Sequence, residues 1–592
     1  MDPTLEIKRE GDRVSMNVVN PLVINGCLGS SLNIMSQAQS NGHNQAVDLS
    51  HHLNVKSKSR HPSPLKTIIK FMGQEGMVSL AGGLPHPSLF PIHKATFTAS
   101  DPSQSTEIEL PLANGENTLL KLADFLQYGT GAGNAQLRQW CHDFTTQVHK
   151  PAYSNYEIML HPGNTNAWSK VVGLLCEEGD YILCESYTYP SAQAFWIPLG
   201  NYAAPVDIDR DGMRDDCLED TLSTWEEKHP GVRRPHVVYL VTVGSNPSGV
   251  TMSASRREKI YEICVKYDVI IVEDDPYFFI QYPDYIIGET GPAPSISSEP
   301  LGTQSFLDSL APSFLQYDRQ GRVIRLESFS KTLSPGLRLG YFIANPLFTE
   351  RLLRATEVET QDPAGLSQAL TLALFQNWGI DGYILWLQNL RTEYHRRRNW
   401  MIDAFAQHFT LVPASEIEPS LQGAPEGVVA ALLNSTPIFS FVPPTGGMFI
   451  WAKFYLAANP GFQVVKEDET VDDPEQIFAE KLWAEFAEEL VLLTPGSYYH
   501  PWQGKDKEGT GARGAERDVT NFRFAFLWIE RGNGAGNSTA SQGGEKILGG
   551  VGERLPSWLF YACEALEILT LLLASWARDH LLHVQYVSHG TN

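Results

Sequence analysis

The chain has 592 residues, a formal net charge of −23 at pH 7 and 42% hydrophobic residues, which is enough apolar material for a sizeable core. The acidic balance argues against nucleic acid and against an anionic membrane surface as partners, because both bind basic patches. Seven cysteines without a Cys-x-x-Cys pair, and a beginning without a secretory signal, favour a reduced, cytoplasmic protein. We expect no metal site.

The first part of the chain is rich in Asn, Ser and Gln and has few apolar periods, so 1–58 is predicted to be a disordered N-terminal arm. Order is expected to begin near Arg60 and to continue with an amphipathic helix over 68–72. Gly-rich loops follow at 82–83 and 129–133. Backbone can approach a ligand closely at such loops, although the second one, taken alone, is better explained as a connector.

Short β-rich runs then alternate with helical segments. Strands are predicted at 158–160, 181–184, 237–241 and 269–272, with a helix over 256–267. This order is typical of an α/β protein with a doubly wound, mostly parallel sheet and ligand groups at the strand ends. The first of these strands leads into a helix that begins near Asn164, and such a helix start favours phosphate binding.

The second half of the chain changes character. A Gly/Pro/Ser-rich stretch at 283–320 is interpreted as an insertion. Later elements are predicted as helices over 366–378, 383–409 and 474–490, β-rich runs at 439–441 and 448–451, and a strand over 521–526. They indicate a smaller α+β domain, in which Arg523 alternates with phenylalanines and so points away from the apolar face.

The far end of the chain, 557–592, is an extra tail. The segment 559–576 is apolar enough to suggest a membrane anchor, but Glu564 and Glu567 lie inside it. Each carboxylate would cost about 2–3 kcal/mol in hydrocarbon, which favours a docked or poorly ordered helix instead. A membrane is therefore not expected as a partner.

One stretch, Ser328–Tyr341, combines the groups needed for carbonyl chemistry. A predicted strand delivers Lys331 into a Gly/Pro turn, and a lysine held out of water is a usable nucleophile for a carbonyl. The neighbouring serines and Arg338 can bind a phosphate. An aldehyde that carries a phosphate ester fits both halves, and pyridoxal phosphate (PLP) is such a molecule.

This stretch resembles the lysine motif of fold-type I PLP enzymes of the class I/II aminotransferase family. The segments 246–249 (Asn-Pro-Ser-Gly) and 274–277 (Asp-Asp-Pro-Tyr), then Lys331 and Arg523, follow the order of that family. More narrowly, 60–64, 81–85 and 273–277 resemble the aromatic, kynurenine and 2-aminoadipate aminotransferases, and 309–315 with 321–326 resemble their fungal branch. The resemblance covers about 59–555. It implies a large PLP-binding domain at 126–355 and a small domain formed by 59–125 and 356–556.

The resemblance also implies roles around the cofactor ring. Lys331 would hold PLP covalently and later move a proton at the substrate α-carbon. Asp274 would face the pyridine nitrogen, with Asp275 more suited to a structural role, although sequence alone could confuse the two neighbours. The remaining ring contacts implied are Tyr277 and Asn246 as donors to the phenolic oxygen, and Tyr189 as a stacking platform.

Other implied residues bind the phosphate and the substrate. The phosphate set is Asn164, Thr165, Ser328, Ser330 and Arg338, joined by Tyr128 from the other subunit of a homodimer. Asn164 and Thr165 stand where relatives often carry serine and glutamine. Arg523 would clamp the substrate α-carboxylate as a two-pronged donor, and Arg60 and Gly83 would contact the rest of the substrate.

The sequence therefore predicts a PLP-dependent aminotransferase that moves an amino group from an aromatic or long-chain 2-amino acid to a 2-oxo acid such as 2-oxoglutarate, in a ping-pong reaction. Another fold-type I reaction, decarboxylation or elimination, remains open because these reactions share one cofactor. A non-catalytic PLP-binding regulator is the alternative from a different class. A polar arm without a helix-turn-helix pattern argues against it.

Overall fold

The computed structural model describes residues 44–64, 80–81, 83–100, 105–113, 120–288, 301–417, 427–488, 491–501 and 517–526, and the backbone of strands at 4–10 and 13–19. The predicted helix over 68–72 and the tail at 557–592 lie outside the described residues. Within the described ranges, we find no helix of the length and apolarity needed to cross a membrane.

The strands are β1 (Thr4–Glu10), β2 (Arg13–Val19), β3 (Lys94–Ser100), β4 (Ser105–Pro111), β5 (Glu157–His161), β6 (Tyr181–Glu185), β7 (Tyr202–Val206), β8 (Ile208–Asp209), β9 (Gly212–Met213), β10 (Val237–Leu240), β11 (Ile270–Asp274), β12 (Val323–Ser328), β13 (Gly340–Ala344), β14 (Thr410–Pro413), β15 (Val429–Leu433), β16 (Thr436–Phe441), β17 (Phe449–Tyr455), β18 (Thr494–Pro495) and β19 (Val519–Ala525).

The helices are α1 (Val55–Lys58), α2 (Leu122–Leu126), α3 (Ala135–His149), α4 (Asn164–Leu175), α5 (Pro190–Trp196), α6 (Asp215–Ser223), α7 (Trp225–Lys228), α8 (Ala254–Lys266), α9 (Thr303–Asp308), α10 (Pro346–Glu359), α11 (Gly365–His408), α12 (Pro460–Glu467) and α13 (Pro474–Glu488).

The larger sheet has seven strands in the order β5-β13-β12-β11-β10-β6-β7. Strands β12, β11, β10, β6 and β7 are mutually parallel, and β13 runs antiparallel to both of its neighbours. Every residue of β10, β11 and β12 is buried, as in a sheet covered on both faces. The predicted α/β fold with a mostly parallel sheet is confirmed, and the carboxyl ends of these strands meet along one edge.

The smaller sheet is antiparallel, with six strands in the order β14-β15-β16-β17-β19-β18. In β19, Phe522 and Phe524 are buried whereas Arg523 is only partly buried, which confirms the predicted alternation. The long helix α11 is broken at Gly379, whose φ of 66° and ψ of −178° are not helical. This break separates the two helices that the sequence predicts.

The prediction of disorder up to residue 58 is wrong for 44–58. Leu49 and Leu53 are 2% and 6% exposed, because they pack against the large domain. The segment has too few apolar side chains to show a helix or strand period, so its sequence does not indicate this packing. The Asn54 side-chain amide donates hydrogen bonds to the carbonyls of Gly173 and Cys176 at 3.1 and 2.8 Å. This segment is therefore a strap on the large domain. The backbone of β1 and β2 also pairs, in antiparallel register.

The stretch predicted as an insertion is packed where it is described. Phe306 and Phe314 are fully buried. The backbone N–H of Phe314 donates to the carboxylate of Glu273 at the end of β11, 3.2 Å away. Residues 301–320 therefore contribute apolar side chains to the large-domain core, although their local sequence pattern is weak.

Candidate active site

A cavity of about 470 Å³ lies at the carboxyl edge of the larger sheet. Its lining includes these residues that the sequence singles out: Asn164, Thr165, Tyr189, Asn246, Asp274, Tyr277, Ser328, Ser330, Lys331, Arg338 and Arg523. Asp274 and Ser328 are the last residues of the neighbouring strands β11 and β12, so the sheet places both at its carboxyl edge. Arg523 comes from the smaller sheet, so the cavity lies between the two sheets.

Asp274 is buried, and two hydrogen bonds hold its carboxylate in place. Its Oδ1 accepts a hydrogen bond from the Asn164 side-chain amide at 2.7 Å, and its Oδ2 accepts one from the Tyr239 hydroxyl at 2.6 Å. Burial raises the pKa of this carboxyl, while the two donors oppose the rise because they favour the charged form. The carboxylate is thus fixed in orientation and can face a cationic nitrogen in the cavity.

Asp275 belongs to a different environment. Successive side chains of a strand point to opposite faces, so Asp275 lies on the far side from Asp274. It accepts a hydrogen bond from Thr242 at 3.1 Å and lies 3.4 Å from Arg325, which also pairs with Glu273 at 2.8 Å. Burial raises the pKa of Asp275 to about 7. Its place in a buried charge network fits the structural role that the sequence suggests.

Lys331 follows β12 and lines the cavity. Burial lowers the pKa of its amine, and the nearby positive charge of Arg523 lowers it further. Both effects favour the neutral amine, which is the nucleophilic form. Lys331 can therefore react with an aldehyde in this cavity.

An anion seat lies in the same cavity, where α4 begins. The Arg338 guanidinium donates to the Ser330 hydroxyl at 3.3 Å and to the Pro162 carbonyl at 3.3 Å. Gly163, with φ of +96°, lies so close that an added Cβ would be 2.2 Å from Arg338 Nη2. The free N–H groups at the start of α4 and this guanidinium make a seat for a phosphate.

The role of Asn164 differs from the one that the resemblance implies. Its side-chain amide donates to Asp274 and to the Leu326 carbonyl at 2.9 Å. The side chain therefore supports the carboxylate, and only the backbone N–H of Asn164 remains for an anion. Thr165 is exposed at the same helix start, where its backbone N–H is available as well.

Arg523 is the candidate substrate anchor. Its Nη1 donates to Asn246 Oδ1 at 2.7 Å, and its Nη2 donates to the Thr494 hydroxyl at 3.3 Å. The buried Nε has no hydrogen-bond partner, and no carboxylate among the described residues pairs with this guanidinium. Its carbon lies 4.2 Å from the centroid of the Phe449 ring. The guanidinium is thus held in position with donor capacity left for a carboxylate.

Two more residues that are predicted to contact the cofactor ring, Tyr277 and Tyr189, also line the cavity. Tyr277 is 5% exposed, and burial followed by the charge of Asp274 raises the pKa of its phenol, so it remains a donor at neutral pH. Tyr189 precedes the first residue of α5 and also lines the cavity. Phenol and aromatic ring are therefore available to a flat, polar ligand.

Three predicted residues are not brought to this cavity within the chain. Arg60 pairs with Glu359 at 2.8 Å in a separate cleft that also contains Lys170. Gly83 has no atom within 4 Å of the point where a Cβ would stand. Tyr128 is 61% exposed.

Other residues that the sequence does not single out also shape the site. Trp168 and Tyr239 line the cavity, as do Met448 and Phe449. Trp168 lies four residues after Asn164, one helical turn along α4, and this spacing could have identified it. Tyr239 lies in a strand whose residues are all buried, so nothing in the local pattern marks its hydroxyl as a partner of Asp274.

These groups match the chemistry of PLP. A buried carboxylate suits the pyridine nitrogen, an amine of lowered pKa suits the aldehyde, and the seat at Arg338 suits the phosphate. Arg523, whose guanidinium pairs with no carboxylate among the described residues, lines the same cavity and suits a substrate anion. Fold and site together therefore define a fold-type I PLP-binding protein.

Comparison with known proteins narrows this class. The model of the family "Aminotransferase class I and II" matches residues 94–504. An aromatic amino acid aminotransferase of Schizosaccharomyces pombe is 36% identical over 467 residues, covering 77% of this chain and 91% of the relative. An L-tyrosine:2-oxoglutarate aminotransferase of Serpula lacrymans is 33% identical over 474 residues, covering 76% of this chain and 84% of the relative.

A solved structure agrees. The crystal structure of the aminotransferase Aro8 from Candida albicans superposes with a TM-score of 0.70 at 31% identity, covering 88% of this chain and 98% of that chain. The chain belongs to the class I and II aminotransferase family, within its fungal aromatic group. It is a transaminase whose cofactor is pyridoxal phosphate.

Proposed function

We propose that the enzyme transfers the amino group of an aromatic or long-chain 2-amino acid (phenylalanine, tyrosine, tryptophan, kynurenine or 2-aminoadipate) to a 2-oxo acid such as 2-oxoglutarate, by a ping-pong mechanism. The observation that carries this proposal is Arg523, a guanidinium in the cavity of Lys331 that pairs with no carboxylate in the described part of the chain. The names of the fungal relatives, which include a tyrosine:2-oxoglutarate aminotransferase, support the substrate class.

When bound, PLP supplies the electron sink that allows the bond to the substrate α-hydrogen to break. Asp274 would keep the ring nitrogen protonated, because its fixed carboxylate favours a cation opposite it. The amine of Lys331 would accept the proton from the substrate α-carbon and hold it for transfer toward the cofactor. Tyr277 and Asn246 would donate hydrogen bonds to the phenolic oxygen, and Tyr189 would stack on the ring.

The phosphate and the substrate carboxylate have separate anchors in this proposal. Arg338, Ser328, Ser330 and the start of α4 at Asn164 and Thr165 would bind the phosphate, and Arg523 would bind the substrate carboxylate through two parallel hydrogen bonds. The remaining wall is apolar, since Trp168, Met448 and Phe449 contribute to it. Such a wall accepts an aromatic or long side chain.

The assembly and the domains extend the same proposal. The exposed phenol of Tyr128 is free to reach the phosphate of a second subunit, so we expect a homodimer. Arg60 and Gly83 would contact the substrate only if the segments around them move toward the cavity. The large domain would comprise 126–355 and the small domain 59–125 with 356–556. A cytoplasmic location completes the proposal.

A substrate assay tests this function. Purified protein with PLP is mixed with phenylalanine or 2-aminoadipate and with 2-oxoglutarate, and we expect one glutamate for each amino acid consumed. Release of carbon dioxide or ammonia without glutamate would instead indicate a decarboxylase or a lyase. No turnover with any amino acid, despite bound PLP, would indicate a regulator.

The lysine provides the complementary test. Lys331→Ala should abolish turnover and the visible absorbance of the covalently held cofactor together. Lys259→Ala, which removes a surface lysine paired with Asp215 at 3.4 Å, is the matched control and should change neither. Retained multiple turnover in Lys331→Ala would refute the assignment.

A further inference from the structure

Two adjacent histidines meet an aspartate where the N-terminal strap crosses the large domain. His51 and His52 lie in a short 3-10 turn, and Asp268 lies just before β11. His51 Nε2 is 2.7 Å from Asp268 Oδ2, and His52 Nε2 is 3.0 Å from Asp268 Oδ1. The three side chains offer ligand atoms that all lie within 4.8 Å of one another.

Behind this cluster lies a second histidine–carboxylate pair. The Nδ1 atoms of His52 and His236 are 3.2 Å apart, and His236 Nε2 is 3.3 Å from Asp180 Oδ2. The polar atoms therefore form a line from Asp268 through His52 and His236 to Asp180. His52 and His236 are 2% and 6% exposed, so water cannot easily replace a missing hydrogen bond.

This line lacks one proton when both rings are neutral. Each of its three contacts needs one N–H, because carboxylates only accept, but two neutral imidazoles carry only two N–H groups. The third contact therefore needs either one additional proton on the line or a cation between His52 Nε2 and Asp268, where His51 Nε2 is also within reach.

We propose that His51 Nε2, His52 Nε2 and Asp268 bind a divalent transition-metal ion, Zn²⁺ being the best fit. With the ion on His52 Nε2, the ring donates from Nδ1 to His236, and His236 donates from Nε2 to Asp180. Every polar atom of the line is then satisfied, in the carboxylate–histidine–metal order that orients ligands in metal sites. Two imidazoles, one carboxylate and a water complete the tetrahedral set that zinc favours.

The surroundings allow such an ion to enter. The side chains of His51 and Asp268 are 57% and 50% exposed, so the site opens to solvent while His52 closes it from below. The ligand atoms are now at hydrogen-bond distances and would separate by a few tenths of an ångström around an ion at about 2.0–2.2 Å. Arg322 Nη1 lies 3.5 Å from Asp268 Oδ1 and opposes binding, so we expect moderate affinity.

A bound ion would hold the N-terminal strap against the large domain. The ion would join residues 51–52 to the turn before β11, the strand that ends in Asp274. The sequence provided no reason to expect a metal, because Asp268 lies more than 200 residues after the two histidines. Bound metal should therefore stabilise the folded chain, because the unfolded chain has no such site.

Metal binding can be measured on the PLP-loaded enzyme after removal of metals with a chelator. Zn²⁺ is titrated by calorimetry, and Co²⁺ replaces it to give visible bands of a tetrahedral site. His51→Ala and Asp268→Asn remove one ligand each, and Asn tolerates the positive φ of 57° at position 268. His93→Ala removes an exposed histidine elsewhere and is the matched control.

We expect one Zn²⁺ per chain and a higher unfolding temperature with zinc. His51→Ala and Asp268→Asn should each weaken binding about 10- to 100-fold, whereas His93→Ala should leave it unchanged. The proposal is overturned if the unmodified enzyme binds no ion at this stoichiometry, which would leave a proton shared along the line. It is equally overturned if both ligand variants keep full affinity, which would place the ion at a thiol or on the cofactor.

Discussion

Arg523 of the smaller sheet and Asn246 of the larger domain are joined by a hydrogen bond of 2.7 Å from the guanidinium Nη1 to the amide Oδ1. The bond crosses between the two sheets at the cavity that contains Lys331. It orients the guanidinium before any substrate binds, and this preorganisation reduces the conformational entropy that is lost on binding.

Arg523→Lys should lower kcat/KM for amino acid substrates by on the order of 10²-fold, because an ammonium keeps the charge but loses the two parallel hydrogen bonds to a carboxylate. Arg523→Ala should lower it further. Steady-state kinetics with phenylalanine measures both. Arg319→Ala, at an exposed position, is the control and should leave kcat/KM unchanged. Equal activity of Arg523→Lys and the unmodified enzyme would contradict the anchor role.

Asp274→Asn and Asp275→Asn form a matched pair of neighbours with opposite expectations. Asp274→Asn should reduce kcat by about 10²-fold or more, since the charge opposite the ring nitrogen is lost. Asp275→Asn should mainly change the unfolding temperature, because Asp275 interacts with Thr242 and Arg325 in the buried network. A large loss of kcat in Asp275→Asn alone would reverse the assignment.

Tyr239→Phe removes the donor to Asp274 Oδ2 and leaves the ring in place. The donor favours the charged carboxylate, so its loss should raise the pKa of Asp274. The acid limb of the pH profile of kcat should move upward accordingly. Tyr153→Phe is a suitable control, since the buried Tyr153 hydroxyl has no partner in the described part of the chain. An unchanged acid limb in Tyr239→Phe would show that Asp274 does not depend on this bond.

Gly163→Ala should weaken PLP binding by about tenfold or more. An added Cβ would lie 2.2 Å from Arg338 Nη2, and φ of +96° disfavours any side chain, so the phosphate seat must shift. Titration of the apoenzyme with PLP measures the effect. Gly173→Ala on the same helix has nothing within 4 Å of its Cβ and should bind PLP normally. Normal affinity in Gly163→Ala would argue against this seat.

His161 gives the fold a pH dependence. Burial lowers the pKa of its ring to about 3, and its Nδ1 accepts a hydrogen bond from the Gly163 N–H at 3.2 Å. The unfolded chain binds a proton at this residue near pH 6.5 but the folded chain does not, so stability falls as pH falls from 6.5 toward 3. Between pH 6.5 and pH 5 the loss from this residue is about 2 kcal/mol.

Urea unfolding at the two pH values checks this expectation. His161→Asn keeps an acceptor for Gly163 without a titrating ring, and its stability should change less between pH 6.5 and pH 5 than that of the unmodified protein. An identical change in both proteins would show that His161 does not account for the loss.

Local sequence patterns were sufficient to predict the larger sheet and the chemistry of the site. The alternation of strands and helices predicted the parallel sheet, and the stretch around Lys331 predicted the chemistry, because hydrophobic periods and turn residues act over a few neighbours. Asn246, Asp274 and Lys331 come at or after the carboxyl ends of β10, β11 and β12, which are neighbouring parallel strands, so these residues gather at one edge. Arg523 reaches the same cavity from the smaller sheet.

The tertiary structure decided what depends on contacts between distant segments. It directs the Asn164 amide to Asp274, 110 positions away, and adds Tyr239 on the other oxygen. It packs the strap at 44–58, which has too few apolar residues to show a period, and it places Arg60 beside Glu359 in another cleft. These outcomes depend on contacts between segments that are distant along the chain. The sequence of one segment alone does not specify which other segment it will pack against.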